Sequence, residues 1–151
     1  MEYISRQIEK TILRASRGFK VVFLGGPRQV GKTTVLKHLS KKTNRQYVTL
    51  DDLEERELAK KDPALFLTQH KPPIIIDEAQ YAPELFSVIK KIVDESDARG
   101  QFWLTGSQQF NLIKNIQESL AGRVAILDIL GLSRQEKFGK TKNIYMKLQQ
   151  Y

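Results

Sequence analysis

The sequence predicts an α/β fold in which a parallel sheet lies between two layers of helices. Short apolar segments alternate with amphipathic segments of helical period along most of the 151 residues. Such alternation is typical of parallel strands joined by crossover helices. The run Ile74-Ile75-Ile76 is unbroken by polar residues, as expected for a central strand that is buried on both faces.

The first predicted element is an amphipathic helix over about residues 2–16. Ile4, Ile8 and Ile12 recur at helical spacing, and Gly18 follows as a stop signal. Further helices are expected over about residues 33–42, 53–60, 64–68, 84–98 and 110–120. Five strands are expected over residues 20–24, 46–50, 74–78, 101–105 and 124–129. Beyond Glu136 the alternation fails, because residues 137–143 are polar and basic and residues 144–151 are short and ambiguous.

The composition indicates one globular domain. Hydrophobic residues make up 40% and charged residues 28% of the chain, and there is no cysteine, so neither disulfides nor thiolate metal sites are expected. No apolar run approaches the roughly 20 residues that span a bilayer. We therefore expect a cytoplasmic protein without membrane contact, with a domain over residues 1–136 and a short basic tail over residues 137–151.

The net charge of +8 is unevenly distributed. Residues 1–50 contain 11 basic and 2 acidic side chains, residues 51–100 contain 7 and 12, and residues 101–151 contain 7 and 3. A basic surplus can mark nucleic-acid contact. Solvated helix faces and helix C-termini explain the same charges, and this interpretation is favoured because no groove-reading motif accompanies them.

A phosphate-binding loop is the most specific motif. The pattern G-x-x-x-x-G-K-[ST] is complete, and Thr34 continues it into a helix; the matching residues are Gly26, Pro27, Arg28, Gln29, Val30, Gly31, Lys32 and Thr33. Glycines allow consecutive N–H groups to face one concavity, and the following helix directs its positive end there. Lys32 would bind the β- and γ-phosphates, and the Thr33 hydroxyl would ligate Mg²⁺.

Asp77-Glu78 at the end of an apolar strand is the second signal. Asp77 is expected at the Mg²⁺ site, opposite Thr33, and Glu78 is expected to orient and activate an attacking water. A polar end of an ordinary strand is the alternative. Downstream of a complete phosphate loop, the two acids predict a hydrolytic nucleotide site.

Thr105, Ser107 and Gln108 form the third signal, because they follow another predicted strand. Ligands of open parallel sheets bind beyond the carboxyl ends of the strands. A side chain here could therefore sense the γ-phosphate or position water, and Ser107 is our candidate. A tight turn with a helix N-cap explains Gly106-Ser107 equally well.

Arg123 is a candidate arginine finger that would act in a neighbouring subunit or not at all. Arg28 would lie near the phosphates, and an ordinary surface ion pair is the alternative for both arginines. Other residues receive structural interpretations: a helix cap for Asp51-Asp52, a core position for Trp103, and no metal site for His38 or His70.

The motifs together resemble one family. They are 26-GPRQVGKTT-34, 47-YVTLDD-52, 62-DP-63, 75-IIDEAQ-80, 104-LTGS-107 and 119-SLAGRV-124. Over about residues 10–136 the chain is similar to the AAA-domain ATPases of bacteria and archaea that usually carry a C-terminal domain of unknown function. The resemblance implies a three-layer P-loop NTPase fold with a five-stranded, mainly parallel sheet of order 5-1-4-3-2. It also implies ATP and Mg²⁺ as ligands, with Lys32, Thr33, Asp77 and Glu78 in the roles given above.

Members of that family continue well beyond residues 132–136, so we expect a truncated or excised ATPase domain. ATP hydrolysis is the first functional hypothesis. A nucleotide-binding remnant without turnover and a DNA-associated nucleotide switch are the alternatives. A small-molecule kinase is disfavoured by Glu78 and by the lack of an arginine-rich lid, and the lack of a guanine-reading motif favours ATP. A homo-oligomer or a protein partner would supply or receive the arginine finger.

Overall fold

The computed structural model describes residues 8–27, 31–107 and 109–129, and the backbone of residues 146–150. Six helices lie in these ranges: α1 Ile8–Gly18, α2 Lys32–Ser40, α3 Leu53–Lys61, α4 Pro63–Gln69, α5 Leu85–Asp94 and α6 Phe110–Ser119. The strands are β1 Val21–Gly25, β2 Gln46–Thr49, β3 Ile74–Asp77, β4 Phe102–Gly106, β5 Val124–Ile129 and β6 Met146–Gln150. A short 3-10 helix, Ala79–Tyr81, follows β3.

One sheet of order β2-β3-β4-β1-β5-β6 organises the molecule. The first five strands in this order are parallel, which confirms the expected order 5-1-4-3-2 read from the other edge. The sixth strand was not predicted. It pairs antiparallel with β5, placing Leu127 opposite Leu148, so part of the segment expected to be a basic tail joins the sheet.

Alternate residues of the strands enter two cores on opposite faces of the sheet. Val22 and Leu24 of β1 pack with α1 and α2, whereas Val21 and Phe23 pack with the layer formed by α3 to α6. Every residue of β1, β3 and β4 is buried, as expected for central parallel strands that carry helices on both faces. The three-layer α/β/α arrangement predicted from the sequence is therefore confirmed.

Local sequence signals set several helix ends. The Asp52 carboxylate accepts hydrogen bonds from the N–H groups of Glu54 and Glu55 at the start of α3, which confirms the capping role expected of this region. Asp62 caps α4 in the same way, with Pro63 as its first residue. Helix α5 ends at Asp94 rather than near residue 98, because residues 95–101 turn into β4 and place Gly100 at a φ of 64° against Ser16.

Two further expectations concern the core position of Trp103 and the basic face of α1. Trp103 is buried in the core as predicted, and Lys10, Arg14 and Arg17 of α1 are exposed as a solvated face. Arg45 is partly buried rather than fully solvated, because its guanidinium stacks on the Trp103 ring at 3.8 Å. Burial lowers the pKa of Arg45 to about 10. Among the described residues, no helix is long and apolar enough to cross a bilayer.

Candidate nucleotide site

The phosphate loop joins the carboxyl end of β1 to the N-terminus of α2. Gly26 is buried with a φ of 156°, and a Cβ atom there would lie 2.3 Å from the carbonyl oxygen of Ile129. Gly31 is the N-cap residue of α2 in a left-handed conformation, with a φ of 88°. Both positions therefore require glycine. Arg28, Gln29 and Val30 lie outside the described residues, and Thr34 is exposed on the first turn of α2.

Lys32 points back into its own loop. Its side chain is only 6% exposed, and Nζ donates to the carbonyl oxygens of Gly26 at 2.7 Å and Pro27 at 3.2 Å. The first turn of α2 contains no acidic residue. A buried ammonium group and the positive end of a helix thus meet at one loop, and this arrangement suits an anion.

The carboxylate of Asp77 accepts hydrogen bonds from four hydroxyl groups. Thr33 Oγ1 and Thr105 Oγ1 each donate to Oδ1 at 2.6 Å. Tyr47 OH donates to Oδ2 at 3.1 Å and Thr49 Oγ1 donates at 3.0 Å. Asp77 is 5% exposed, so the carboxylate is held rigidly beside the phosphate loop by its neighbours on β2, β4 and α2.

The Asp77 carboxylate affects the pKa of the Tyr47 hydroxyl. Burial, the charge of Asp77 and the hydrogen bond to Asp77 raise the pKa of the Tyr47 hydroxyl above its usual value. The phenol therefore stays protonated and donates throughout the physiological pH range. Lys37 Nζ lies 4.1 Å from the centre of the same ring, which fixes the ring from the α2 side.

Thr105 connects Asp77 to Glu78. Its hydroxyl donates to Asp77 and accepts from the backbone N–H of Glu78 at 3.0 Å. Glu78 has a left-handed backbone, with a φ of 60° and a ψ of 51°. Non-glycine residues in this region are uncommon and cluster at functional sites. The turn separates the two acids: Asp77 is held against Thr33, while Glu78 begins the 3-10 helix.

Gln80 lies beside Glu78, and Ser107 follows β4 at the same edge of the sheet. Gln80 Nε2 donates to Glu78 Oε2 at 2.5 Å. Gln80 Oε1 and Ser107 Oγ are buried and have no hydrogen-bond partner within residues 8–27, 31–107 and 109–129. The side chain of Gln80 lies over β4, because a Cβ atom on Gly106 would be 3.0 Å from Gln80 Oε1. Ser107 does not cap α6, whose N-cap residue is Gln109.

Lys32, Thr33, Asp77 and Glu78 are brought together at the carboxyl ends of β1 and β3, with Ser107 following β4. Arg123 is not. It precedes β5, and its carbonyl accepts from the N–H of Val21 at 3.0 Å, so it lies at the amino edge of the sheet. Five residues of strand separate it from the phosphate-loop edge, roughly 16 Å at 3.3 Å per residue.

Arg123 makes a bidentate ion pair instead. Nε and Nη2 donate to the two carboxylate oxygens of Asp94 at 2.6 and 2.9 Å. This contact lowers the pKa of Asp94 and raises that of Arg123. The position excludes Arg123 as a finger for the nucleotide site of its own chain. Action on a neighbouring copy stays a prediction.

Sequence reasoning missed Tyr47, Thr49 and Gln80. Tyr47 and Thr49 alternate along β2, and Thr49 is level with Asp77 in the register, so a strand order derived from the resemblance contained the signal. Gln80 follows Glu78 by two residues, but only the left-handed turn at Glu78 returns its side chain to the carboxylate.

Gln108 lies outside the described residues. His70 contacts Glu55 at 2.7 Å, away from this site.

The residues present fit a magnesium nucleotide. The described residues contain no cluster of three or more His, Cys, Asp or Glu residues that could hold a metal. Mg²⁺ bound with nucleotides uses one or two protein ligands, with phosphate and water oxygens as the rest. One carboxylate oxygen of Asp77 beside the hydroxyl of Thr33 meets that requirement, and Lys32 lies in the adjoining phosphate loop.

The loop, the parallel sheet and this acid pair define a P-loop nucleoside-triphosphatase fold. The sequence pattern of the AAA_14 family, described as an AAA domain, matches residues 18–138. The chain therefore belongs to this AAA domain family, and membership indicates nucleotide binding.

Two mycobacterial relatives resemble the chain in sequence. Uncharacterized proteins of Mycobacterium bovis and Mycobacterium tuberculosis are each 36% identical over 129 residues. The matched segment is 85% of this chain but only 29% of each relative. The similarity thus concerns one part of these longer proteins.

Solved structures show the same fold at low sequence identity. A DNA replication initiation factor is 12% identical with a TM-score of 0.52, and the match covers 87% of this chain and 46% of that one. Saccharomyces cerevisiae RIF2 is 10% identical with a TM-score of 0.53, and the match covers 86% and 57%. These similarities support the architecture alone.

Proposed function

We propose that this chain binds ATP with Mg²⁺ and hydrolyses the nucleotide by attack of water on the γ-phosphate. The observation that carries the proposal is the arrangement around Thr105. One hydroxyl binds the Asp77 carboxylate and the N–H of Glu78, while Thr33 from the phosphate loop binds the same Asp77 oxygen. A metal ligand and a candidate base are thereby linked to the residues that would hold phosphate.

The residues of the chain have separate roles in the proposed reaction. The loop over residues 26–33 and the N-terminus of α2 bind the phosphates, and Lys32 supplies a positive charge from within the loop. Residues 26–34 together form the proposed nucleotide-binding segment. Mg²⁺, when bound, neutralises phosphate charge and polarises the group that is transferred.

Glu78 is the proposed base. Its carboxylate accepts a proton from the attacking water and orients that water toward phosphorus. Ser107, which follows β4 at the same edge of the sheet, is proposed to contribute a hydroxyl to the same pocket. Catalysis then depends on positioning and electrostatics more than on covalent chemistry.

Arg123 extends the proposal to a second copy of the chain. Because it lies at the amino edge, its guanidinium would act only on a nucleotide bound by a neighbour. The Asp94 contact would be exchanged for phosphate contact in such an assembly. A homo-oligomer is therefore the proposed partner arrangement, and the cytoplasm, where ATP is available, is the proposed location.

Glu78→Gln is the decisive substitution. We expect single-turnover phosphate release to fall on the order of 10²- to 10⁴-fold, because the amide cannot accept the proton, while binding of a fluorescent ATP analogue is retained. Glu84→Gln is the matched control, since Glu84 is exposed and its side chain does not cap α5. Addition of EDTA should stop release in the unchanged protein and in this control.

The outcomes separate the hypotheses. Release by the unchanged protein no faster than by Glu78→Gln, with ATP still bound, would leave a nucleotide-binding module without turnover. Failure to bind any nucleoside triphosphate would refute the proposal as a whole.

A further inference from the structure

Gln80 is a polar side chain at the candidate base that no step above uses. It lies in the 3-10 helix directly after Glu78 and donates from Nε2 to Glu78 Oε2. The reverse orientation of the amide would place a carbonyl oxygen against a carboxylate, which is repulsive. The chemistry of the pair therefore fixes Nε2 toward Glu78 and Oε1 toward β4.

The other end of this amide has no hydrogen-bond partner in the part of the chain that the structure describes. Gln80 Oε1 is buried beside Gly106, and the next residue, Ser107, has a buried hydroxyl that also lacks a partner among the described residues. One is an acceptor and the other a donor. Burial without a hydrogen-bond partner is unfavourable for each atom, so a hydrogen bond between this donor and this acceptor would be favoured.

The local backbone does not require this side chain. The 3-10 turn is closed by main-chain bonds from Tyr81 N–H to Glu78 O at 3.2 Å and from Ala82 N–H to Ala79 O at 3.1 Å. Ala79 and Ala82 are buried and anchor the turn in the core. The Gln80 amide is thus available to act on Glu78 without holding the helix.

We propose that Gln80 is a positioning residue for hydrolysis. Its amide N–H fixes the Glu78 carboxylate, and its carbonyl oxygen accepts the Ser107 hydroxyl when nucleotide is bound, so that the end of β4 is linked to the base. This inference rests on the proposed ATP hydrolysis. It gives Ser107 an indirect role, since the hydroxyl acts through Gln80.

Gly106 makes this connection sterically feasible. Its absent Cβ would meet Gln80 Oε1, Leu112 Cδ2 and Phe23 Cε2 at 3.0, 2.9 and 3.1 Å. Any larger residue would displace the amide from Glu78 or disturb the packing beneath it. The glycine therefore provides the space in which Gln80 lies.

The test compares Gln80→Leu, Gln80→Glu and the control Gln46→Leu in the 151-residue chain. Gln46 is an exposed residue at the amino end of β2. We expect kcat to fall on the order of 10²-fold in both Gln80 variants, as for a displaced catalytic group. The KM for ATP, the affinity for an ATP analogue and the melting temperature should remain those of the unchanged protein. Gln80→Glu preserves the size and the acceptor while replacing the donor by a repelling charge, so it serves if Gln80→Leu does not fold.

A double-mutant cycle tests the link to Ser107. Ser107→Ala should reduce kcat, and combining it with Gln80→Leu should add little, because interacting residues are not additive. Full additivity would refute the link. An unchanged kcat in both Gln80 variants would refute the positioning role while leaving the proposed hydrolysis intact. An unchanged protein that releases no phosphate would instead refute the proposed function.

Discussion

The two edges of one parallel sheet differ in how they accommodate polar groups. At the amino edge, Arg123 forms a bidentate pair with Asp94, and Trp103 donates to Ser16 Oγ at 2.9 Å beneath Arg45. At the carboxyl edge, the Asp77 carboxylate is shared by four hydroxyls. Gln80 Oε1 and Ser107 Oγ are buried there without a partner among the described residues. Arg45 Nε at the amino edge is also buried without a hydrogen-bond partner among the described residues, but the groups around it form fixed pairs. At the carboxyl edge, the unpaired atoms lie where a ligand would arrive.

The largest effect should come from Gly26→Ala at the carboxyl edge. The new methyl group would overlap the Ile129 carbonyl, and we expect a loss of about 3 kcal/mol of stability from strain and overpacking. Nucleotide binding should be lost with it. Chemical denaturation and analogue titration would measure both, with Gly18→Ala as control because a Cβ there meets no atom within 4 Å. Normal binding by Gly26→Ala would contradict the assigned loop geometry.

Trp103→Phe should produce the next effect, at the amino edge. The substitution removes the hydrogen bond to Ser16 and part of a fully buried ring, which should cost about 1–3 kcal/mol. Hydrolysis per folded molecule should be unchanged. Circular dichroism is the appropriate probe of unfolding, because this is the only tryptophan in the chain. A change in kcat at constant stability would show that the two edges are not independent.

Tyr47→Phe and Thr49→Val should have a smaller effect, expressed in binding. Each removes one hydrogen bond to Asp77 Oδ2, worth about 1 kcal/mol, and we expect the affinity for magnesium nucleotide to fall about 5-fold for each. Titration with an ATP analogue at varied Mg²⁺ would measure this. Thr68→Val is a suitable control, because its hydroxyl is exposed and donates to the Ala64 carbonyl, away from Asp77. An equal loss of affinity in the Thr68→Val control would contradict the assigned role of Tyr47 and Thr49.

Arg123→Ala should have the smallest effect on stability. The ion pair with Asp94 is largely exposed, and such pairs contribute little. Because the folded pKa of Asp94 lies below its usual 3.8, the contribution is present above that pH and is lost as the pH falls through the folded value. The difference in stability between the unchanged and variant proteins should thus be smaller at pH 3 than at pH 7, as measured by denaturation at both pH values. A large loss of hydrolysis that depends on protein concentration would support action on a neighbouring copy.

The sequence was sufficient for the five parallel strands and the helices between them, because period and spacing are local properties, but it did not predict β6. The apolar runs indicated five parallel strands, and the glycine loop with Asp77-Glu78 placed the candidate site on two of them. Tyr47 and Thr49 join Asp77 through strand pairing across 30 residues, so no local pattern reveals them. The position of Gln80 depends on the left-handed backbone of Glu78, which the sequence does not reveal. The position of Arg123 depends on which end of β5 faces the phosphate loop.

The close approach of Gly26 to Ile129 couples two parts of the chain mechanically. The phosphate loop rests against the final carbonyl of β5, with no side chain between them to absorb a displacement. A shift of the loop at this point must therefore move the end of β5 as well. Distance measurements between labels at the two positions, with and without nucleotide, would report such motion as a single correlated displacement.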